Sequence, residues 1–452
     1  MPFDPQAYRP ERRITSLGEP FYDPVRAAAF PETRLRFRND RAAAEVGLDG
    51  LDGAAWAAHF GRFAPLPDNL EQPLALRYHG HQFRAYNPDL GDGRGFTFAQ
   101  LRDRAGRLLD LGTKGSGQTP WSRSGDGRLT LKGGVREVLA SEMLEALGVP
   151  TSRSFSLIET GEALERNDEP SPTRAAVLVR LSHGHIRIGT FQRLAYHRDE
   201  DAMRRLVRYV LAGLYGEDGD DPVRLLELVV ARTAVLAARY MAAGFVHGVL
   251  NSDNINVTGE SFDYGPWRFA PTWDPAFTAA YFDHAGLYAF GRQPEAILWD
   301  VMQLASSLRL IAESDPLVAA LDRFAEAYQP AVAEALLWRM GRAPRDEATD
   351  RALVQKVERA LRASGVGLDR FFFDVFAQEL PGSYGAEWDA VRAALSDHVP
   401  RKSRDHAYWE SEPCAMLIDE VEAIWAPIAD CDDWRVFEAK LAAIRQMAEA
   451  LD

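Results

Sequence analysis

The stretch HGVLNSDNINVTGESFDYG, residues 247–265, contains the side chains on which the fold prediction depends. Asn254 and Asp263 stand nine residues apart in it, and both offer the hard oxygen ligands that Mg²⁺ prefers. Asp253 directly precedes Asn254 and is a candidate proton acceptor, although an Asp in a loop often caps a turn instead. The stretch follows a long apolar segment, so we expect a buried helix that ends in a metal-binding loop.

Upstream of this loop, the sequence predicts short strands and one helix. Alternating apolar positions indicate a hairpin over residues 96–101 and 107–115. Apolar residues at helical spacing predict a helix over 131–150. The other predicted elements are strands at 153–159 and 174–182, a long helix at 223–244, and helices joined by loops from about 293 to 450. A small strand-rich region therefore precedes a larger helical one, which is the α+β class with its elements segregated.

Two features before the predicted helix could hold phosphate groups. The GDGRG turn at 91–95 would let backbone N–H groups approach an anion, although an ordinary hairpin loop fits the same residues. Lys114 ends the predicted hairpin, and Glu137 lies near the start of the next helix. In kinases a strand lysine holds the ATP phosphates and a helix glutamate orients it. The alternative for Glu137 is a solvated carboxylate on an amphipathic helix.

The order of glycine turn, lysine, glutamate, asparagine and aspartate is that of a kinase-type nucleotide site. Such sites carry a catalytic Asp five residues before the Asn, and Val249 stands at that position here. Because a valine cannot accept a proton, either the chain is inert or another base serves. Asp253 is the candidate for that base.

Arg180 and Arg187 form a second basic feature of the sequence. They are seven residues apart, so on a continuous strand they would face opposite sides. A bend near Gly184 could bring them together as an anion clamp, and an unconnected surface pair is the alternative.

Composition narrows the partners and the compartment. The net charge of −14 over 452 residues argues against broad contact with nucleic acid or an anionic membrane. The sequence shows neither a signal-peptide pattern nor an apolar run of the ~18 residues that a membrane helix needs. Cys414 and Cys431 are the only cysteines, and they are spaced for neither a zinc site nor a redox pair. We expect a cytoplasmic monomer with reduced thiols.

In its motifs the chain resembles the selenoprotein O family, which consists of protein adenylyltransferases with a pseudokinase fold. The matching stretches are YHGHQFRAYNPDLGDGRG (78–95), LGTKGSGQTPWSRSGDGRLTLKGGVREVLASEML (111–144), HIRIGTFQ (185–192) and HGVLNSDNINVTGESFDYGPW (247–267). The resemblance implies a protein-kinase-like bilobal fold, with a small strand-rich N-lobe and a larger helical C-lobe. The corresponding division of the chain is an N-terminal extension (1–75), the N-lobe (76–195), the C-lobe with the metal and catalytic loop (196–384) and a C-terminal helical extension (385–452).

The resemblance also implies a reaction and its residues. ATP would bind in a flipped orientation, and AMP would pass from its α-phosphate to Ser, Thr or Tyr hydroxyl groups of proteins. The implied nucleotide-binding residues are Gly91, Gly93, Arg94, Lys114, Asp126, Gly127, Arg180 and Arg187. Asn254 and Asp263 would bind Mg²⁺ or Mn²⁺. Asp253 would accept the proton, and Lys114, oriented by Glu137, would also take part in catalysis.

Two other functions stay open at this stage. The same lysine, glutamate, asparagine and aspartate would suit a kinase that moves the γ-phosphate, although Val249 counts against it. A non-catalytic nucleotide-binding scaffold would show ATP-dependent thermal stabilisation without a covalent product.

Overall fold

The computed structural model describes residues 4, 6–167 and 169–452, and it has the α+β composition that the sequence predicts. The strands are β1 (Pro10–Glu11), β2 (Tyr22–Pro24), β3 (Arg34–Arg38), β4 (Leu74–Leu76), β5 (Gly80–Gln82), β6 (Ala85–Asn87), β7 (Thr97–Arg102), β8 (Leu108–Lys114), β9 (Leu129–Thr130), β10 (Arg153–Leu164), β11 (Thr173–Ser182), β12 (Phe245–His247) and β13 (Trp267–Phe269). The α-helices are α1 (Asp40–Glu45), α2 (Gly53–Phe60), α3 (Leu131–Ala146), α4 (Ile188–His197), α5 (Glu200–Val210), α6 (Pro222–Ala243), α7 (Gln293–Leu308), α8 (Ser314–Arg339), α9 (Glu347–Ser364), α10 (Leu368–Val375), α11 (Asp389–Leu395), α12 (Ile418–Cys431) and α13 (Arg435–Leu451).

One antiparallel sheet holds most of the strands and runs in the order β2-β4-β7-β8-β11-β10-β3, with β1 paired to β7 and β9 to β11. The predicted hairpin at 96–115 is confirmed, because β7 and β8 pair antiparallel at its centre. The sequence predicts no strand in the N-terminal extension, yet β1, β2, β3 and β4 all join this sheet. These strands are two to five residues long and fall between prolines and glycines, so their alternation is too short to read.

Both faces of the sheet are buried. On one face Trp56 and Phe60 of α2 pack on Phe155 of β10, with ring centroids 5.0 and 5.2 Å from that phenylalanine. On the other face α3 lies against alternate residues of β10 and β11, such as Leu157 and Leu178. Because α3 crosses the sheet in this way, a side chain near its start can reach the end of β8.

Helices dominate the rest of the chain. The predicted long helix is confirmed as α6, which ends at Gly244 with a positive φ of 70°. Gly244 is a suitable helix end because glycine has no Cβ to clash in the left-handed region. The chain then enters β12 and the loop at 248–256. This loop contains Asp253 and Asn254, the predicted base and one of the predicted metal ligands. Among the described residues, no helix has the length and apolar character required to cross a bilayer.

The last two helices, α12 and α13, form a C-terminal helix pair that packs on α3 and on the β3 edge of the sheet. Phe437 of α13 contacts Phe37 of β3 edge to face, with ring centroids 6.4 Å apart. Lys132 at the start of α3 donates to Glu422 of α12 over 2.7 Å. The helix pair therefore supports the outer side of α3.

Candidate active site

A cavity of about 740 Å³ opens between the glycine turn at 91–95, the end of β8, the loop at 119–127 and the loop that follows β12. Among the described residues, basic side chains in its lining outnumber acidic ones by seven to five. The basic ones are Arg94, Lys114, Arg123, Arg128, Arg166, Arg180 and Arg187. The acidic ones are Asp92, Asp126, Glu165, Asp253 and Asp263. In a chain with a net charge of −14, this local excess of positive charge favours an anionic ligand.

Lys114 lies at the centre of the buried charges. Its Nζ donates to Glu137 of α3 and lies 2.6 Å from Oδ1 of Asp263. The guanidinium of Arg180 is 3.7 Å from the same Asp263 oxygen. Burial alone would raise the pKa of Asp263, but Lys114 and Arg180 hold that pKa well below its usual range. Asp263 is therefore an anion that faces two cations, as in a site that exchanges these contacts for phosphate and metal.

Arg187 reaches the same cavity from the start of α4. Its guanidinium is 3.1 Å from Oδ1 of Asp92 and donates to the backbone carbonyl of Asp253, also over 3.1 Å. Arg187 and Arg180 both lie over the ring of Phe262, at 4.9 and 5.2 Å from its centroid. The sequence leaves open whether the two arginines converge or form an unconnected surface pair. The structure brings them together, with Gly184 at a positive φ of 78° between them.

Asp253 has the environment expected of a proton acceptor. Its carboxyl is buried, and within the described residues Oδ1 accepts no hydrogen bond. Burial raises its pKa to about 6, against the opposing charge of Arg187. Strand β5 passes so close that a Cβ built at Gly80 would lie 2.8 Å from Oδ1. A carboxylate whose pKa is raised by burial is a stronger base than one in solvent.

Asn254 is oriented by its own loop and does not line the cavity. Its Nδ2 donates to the carbonyl of Val249 over 3.0 Å, which leaves Oδ1 as the ligating atom. In the part of the chain that the structure describes, no group of three His, Cys, Asp or Glu side chains is arranged to hold a metal ion. Mg²⁺ at nucleotide sites commonly takes one or two protein oxygens and completes its shell with phosphate and water. The donor set of Asn254 and Asp263 fits a metal of that kind.

The glycine-rich turn is covered by the loop at 119–127. A Cβ at Gly91 would overlap the ring of Trp121, and one at Gly93 would lie 2.9 Å from the Trp121 carbonyl. Arg94 is exposed at the mouth of the cavity. The turn therefore needs glycine for close packing against this loop.

Asp126 and Gly127 lie at the far end of the same loop. Oδ2 of Asp126 is 2.8 Å from the guanidinium of Arg166, and its Oδ1 accepts from the backbone N–H of Arg128 over 2.9 Å. Gly127 has a positive φ of 71°. Both of these predicted residues line the cavity. Glu137, also predicted, does not line it and reaches the site through its hydrogen bond with Lys114.

Sequence reasoning missed several residues that line the cavity, namely Tyr78, Gln82, Asp92, Trp121 and Arg123. All five fall inside the motif stretches that carry the family resemblance. Their position in those stretches was the available signal. Their roles depend on loop packing, which spacing alone does not give.

The site is that of an enzyme that handles an anionic, phosphate-bearing substrate, and comparison with known proteins defines the class as nucleotidyltransferase. The family model described as "Protein adenylyltransferase SelO" matches residues 6–445, and the chain belongs to this family. A relative from Synechococcus elongatus, named "Protein nucleotidyltransferase YdiU", is 43% identical over 97% of this chain and 95% of its own length. Relatives of the same name from Gloeobacter violaceus and Trichodesmium erythraeum are 43% and 46% identical, and they cover 96% and 94% of this chain and 95% and 96% of their own lengths.

Proposed function

We propose that this chain transfers AMP from ATP to Ser, Thr or Tyr hydroxyl groups of protein substrates, as a monomer in the cytoplasm. The observation that carries this proposal is the buried Asp253 carboxyl, which shares a cavity with Lys114, Arg180 and Arg187. The conventional base position in the same loop is the apolar Val249. Asp253 lies four residues after that position. A base moved in this way suits a nucleotide that presents its α-phosphorus, not its γ-phosphorus, to the acceptor hydroxyl.

In this proposal ATP lies flipped, with its α-phosphate toward Asp253. The acceptor hydroxyl attacks the α-phosphorus, the bond to the bridging oxygen of the β-phosphate breaks, and pyrophosphate leaves. Asp253 takes the hydroxyl proton, a contribution of about 10²–10⁴ in rate for a positioned base. Arg180 and Arg187 hold the phosphates in the orientation that the attack requires.

Asn254 and Asp263 would hold Mg²⁺ or Mn²⁺ in this scheme, through an amide oxygen and a carboxylate. Such an ion, when bound with ATP, supplies charge neutralisation at the phosphate oxygens. Lys114 would exchange part of its present contact with Asp263 for a contact with a phosphate oxygen. Glu137 would keep the ammonium group of Lys114 in place. Gly91, Gly93, Arg94, Asp126 and Gly127 would complete the nucleotide site.

We also propose that the chain is arranged as a kinase-like pair of lobes. The N-lobe would comprise residues 76–195 and the C-lobe residues 196–384, with extensions at 1–75 and 385–452. The support is the contact between Lys114 on a strand and Glu137 on a helix, together with an Asp-Tyr-Gly triplet that begins at Asp263 near that lysine. In kinases these are the parts that join the two lobes around ATP.

The test is incubation of the purified protein with a protein acceptor, Mg²⁺ or Mn²⁺, and ATP labelled at either the α- or the γ-phosphate. We expect label on protein from α-labelled ATP alone, and none with Asp263→Ala. Asp218→Ala is the matched control, because it removes an exposed carboxylate elsewhere in the chain. This variant should transfer AMP at the wild-type rate. Label from γ-labelled ATP alone would make the chain a kinase, and ATP-dependent stabilisation without any label would make it a scaffold.

A further inference from the structure

The loop at 119–126 is tied to the glycine turn by its own hydrogen bonds. Thr119 Oγ1 donates to the carbonyl of Asp92 over 2.6 Å, and Ser122 Oγ donates to the carbonyl of Gly93. Ser122 Oγ also accepts from the backbone N–H of Thr119 over 2.8 Å. The two segments therefore form one unit, and whatever fixes the glycine turn also fixes this loop.

Trp121 also links this loop to the glycine turn. Its ring lies on Gly91, at the position that a side chain there would occupy. Its indole N–H donates to Oδ2 of Asp23 over 2.9 Å, and Arg77 is paired with the same carboxylate. The loop is therefore anchored by Thr119, Trp121 and Ser122 just before its tip.

Arg123 occupies the tip of this loop in a conformation that is unusual for its residue type. Its φ is +52°, in the left-handed region, which costs an L-residue other than glycine about 1–2 kcal/mol. A glycine at this position would adopt the same φ without that cost. A strained, non-glycine residue held by rigid surroundings points to a use for its side chain.

The charge of Arg123 has no partner among the described residues. Within the described residues it makes no hydrogen bond or ion pair, whereas Arg187 is paired with Asp92 and Arg166 with Asp126. Arg123 is exposed and lines the cavity that also contains the Asp253 carboxyl. Burial dominates the pKa of Asp253, and the charges of Arg187 and Arg123 both lower it. Arg123 and the proposed base therefore line the same cavity.

We propose that Arg123 is a further catalytic residue, whose guanidinium binds the non-bridging oxygens of the α-phosphoryl group as it is transferred. This inference rests on the proposed function. As the acceptor oxygen bonds to phosphorus and the electron pair of the breaking bond leaves with pyrophosphate, negative charge at those oxygens requires a cation. Lys114 and Arg180 must give up contacts with Asp263 before they can bind phosphate. Arg123 lines the same cavity and has no ion pair to break among the described residues.

The test compares Arg123→Asn, Arg123→Lys and the control Arg104→Asn for AMP transfer from α-labelled ATP, with ATP affinity measured separately by calorimetry. Asparagine tolerates the left-handed conformation, so the loop should keep its shape, which an unchanged melting temperature would verify. Arg104 is exposed in the turn between β7 and β8 and is outside the cavity, so its variant matches the charge change. We expect Arg123→Asn to lower kcat by about 10²-fold with little change in the Kd for ATP, and Arg123→Lys to restore part of it.

Two outcomes overturn the inference and leave the proposed function standing. If the wild-type chain transfers AMP and Arg123→Asn keeps the wild-type kcat, Arg123 is not catalytic and the proposed function stands. If Arg123→Asn weakens ATP binding by the full factor lost in kcat/KM while kcat is unchanged, the residue binds the ground state only. If the wild-type chain labels no protein, both proposals fail together.

Discussion

The cavity and the C-terminal helix pair hold their charged side chains in opposite ways. In the cavity, the side chains of Lys114 and Arg180 are 5% and 6% exposed and surround a carboxylate that could ligate a metal. At the helix pair, Asp432 is 45% exposed and bridges Arg36 and Arg174 at the sheet edge. Burying a charged side chain costs several kcal/mol of folding free energy, so buried charges are kept where they are paired or have a function. An exposed ion pair costs little and adds little to stability. The comparison predicts chemistry in the first region and support in the second.

Among the substitutions that compare the two regions, Asp253→Asn in the cavity should have the largest effect. The substitution keeps the shape of the side chain and removes its ability to accept a proton, so AMP transfer should fall by about 10²–10⁴-fold. The Kd for ATP should stay near the wild-type value, because none of the described cations of the cavity donates a hydrogen bond to this carboxyl. Single-turnover transfer and calorimetric titration with ATP would measure the two quantities. Full transfer by Asp253→Asn would remove Asp253 as the base and weaken the contrast between the regions.

The matching substitution in the helix pair is Ile444→Ala on α13. Ile444 is buried in the main core, and truncating a buried isoleucine to alanine lowers the free energy of unfolding by about 2–5 kcal/mol. We expect this loss in urea denaturation, with kcat unchanged at temperatures where the variant is folded. Val436→Ala, at an exposed position of the same helix, should change the free energy of unfolding by less than about 0.5 kcal/mol. A fall in kcat without a fall in stability would give the helix pair a part in the chemistry.

Gly80→Ala sharpens the comparison, because it adds one methyl group next to the proposed base. The new Cβ would lie 2.8 Å from Oδ1 of Asp253, so either β5 or the carboxyl must shift. We expect kcat to fall about tenfold, equivalent to about 1.4 kcal/mol, with the Kd for ATP retained. Gly53→Ala is the control, because a Cβ there meets nothing within 4 Å and the added methyl lies at the start of α2. Equal transfer by Gly80→Ala and the wild type would show that the contact leaves room to spare.

The sequence predicts the cavity far better than it predicts the helix pair, for physical reasons. Phosphate chemistry restricts residue types at Lys114, Asp253 and Asp263, so their spacing is readable from the chain alone. The helices at 418–451 are predicted by periodicity, but their place against α3 depends on side-chain packing that many sequences would satisfy. The strands before residue 75 were missed because each is too short for alternation to show. Arg123 was missed because its exposure and φ belong to loop geometry and leave no pattern in the sequence.

The smallest effect concerns the ion pairs of Asp432 with Arg36 and Arg174, at 2.9 and 2.7 Å. Desolvation opposes ionisation of Asp432, yet hydrogen bonds from Arg174, Trp434 and Arg36 hold its pKa below its ordinary value of 3.8. A depressed carboxyl pKa stabilises the folded chain above pH 3.8, and the stabilisation is lost as the pH falls toward the folded pKa.

Asp432→Asn should therefore lower the free energy of unfolding at neutral pH by no more than about 1 kcal/mol, because the pair is exposed. The difference from wild type should shrink below pH 3.8 and also in high salt, which screens exposed charges. Urea denaturation across this pH range would measure it, with Asp218→Asn as an exposed control that has no such pairs among the described residues. Asparagine tolerates the positive φ of 54° at this position, so backbone strain would not confuse the result. A loss of several kcal/mol would mean that these ion pairs hold the helix pair against the sheet. Charged side chains would then be as important in the helix pair as in the cavity, despite their greater exposure.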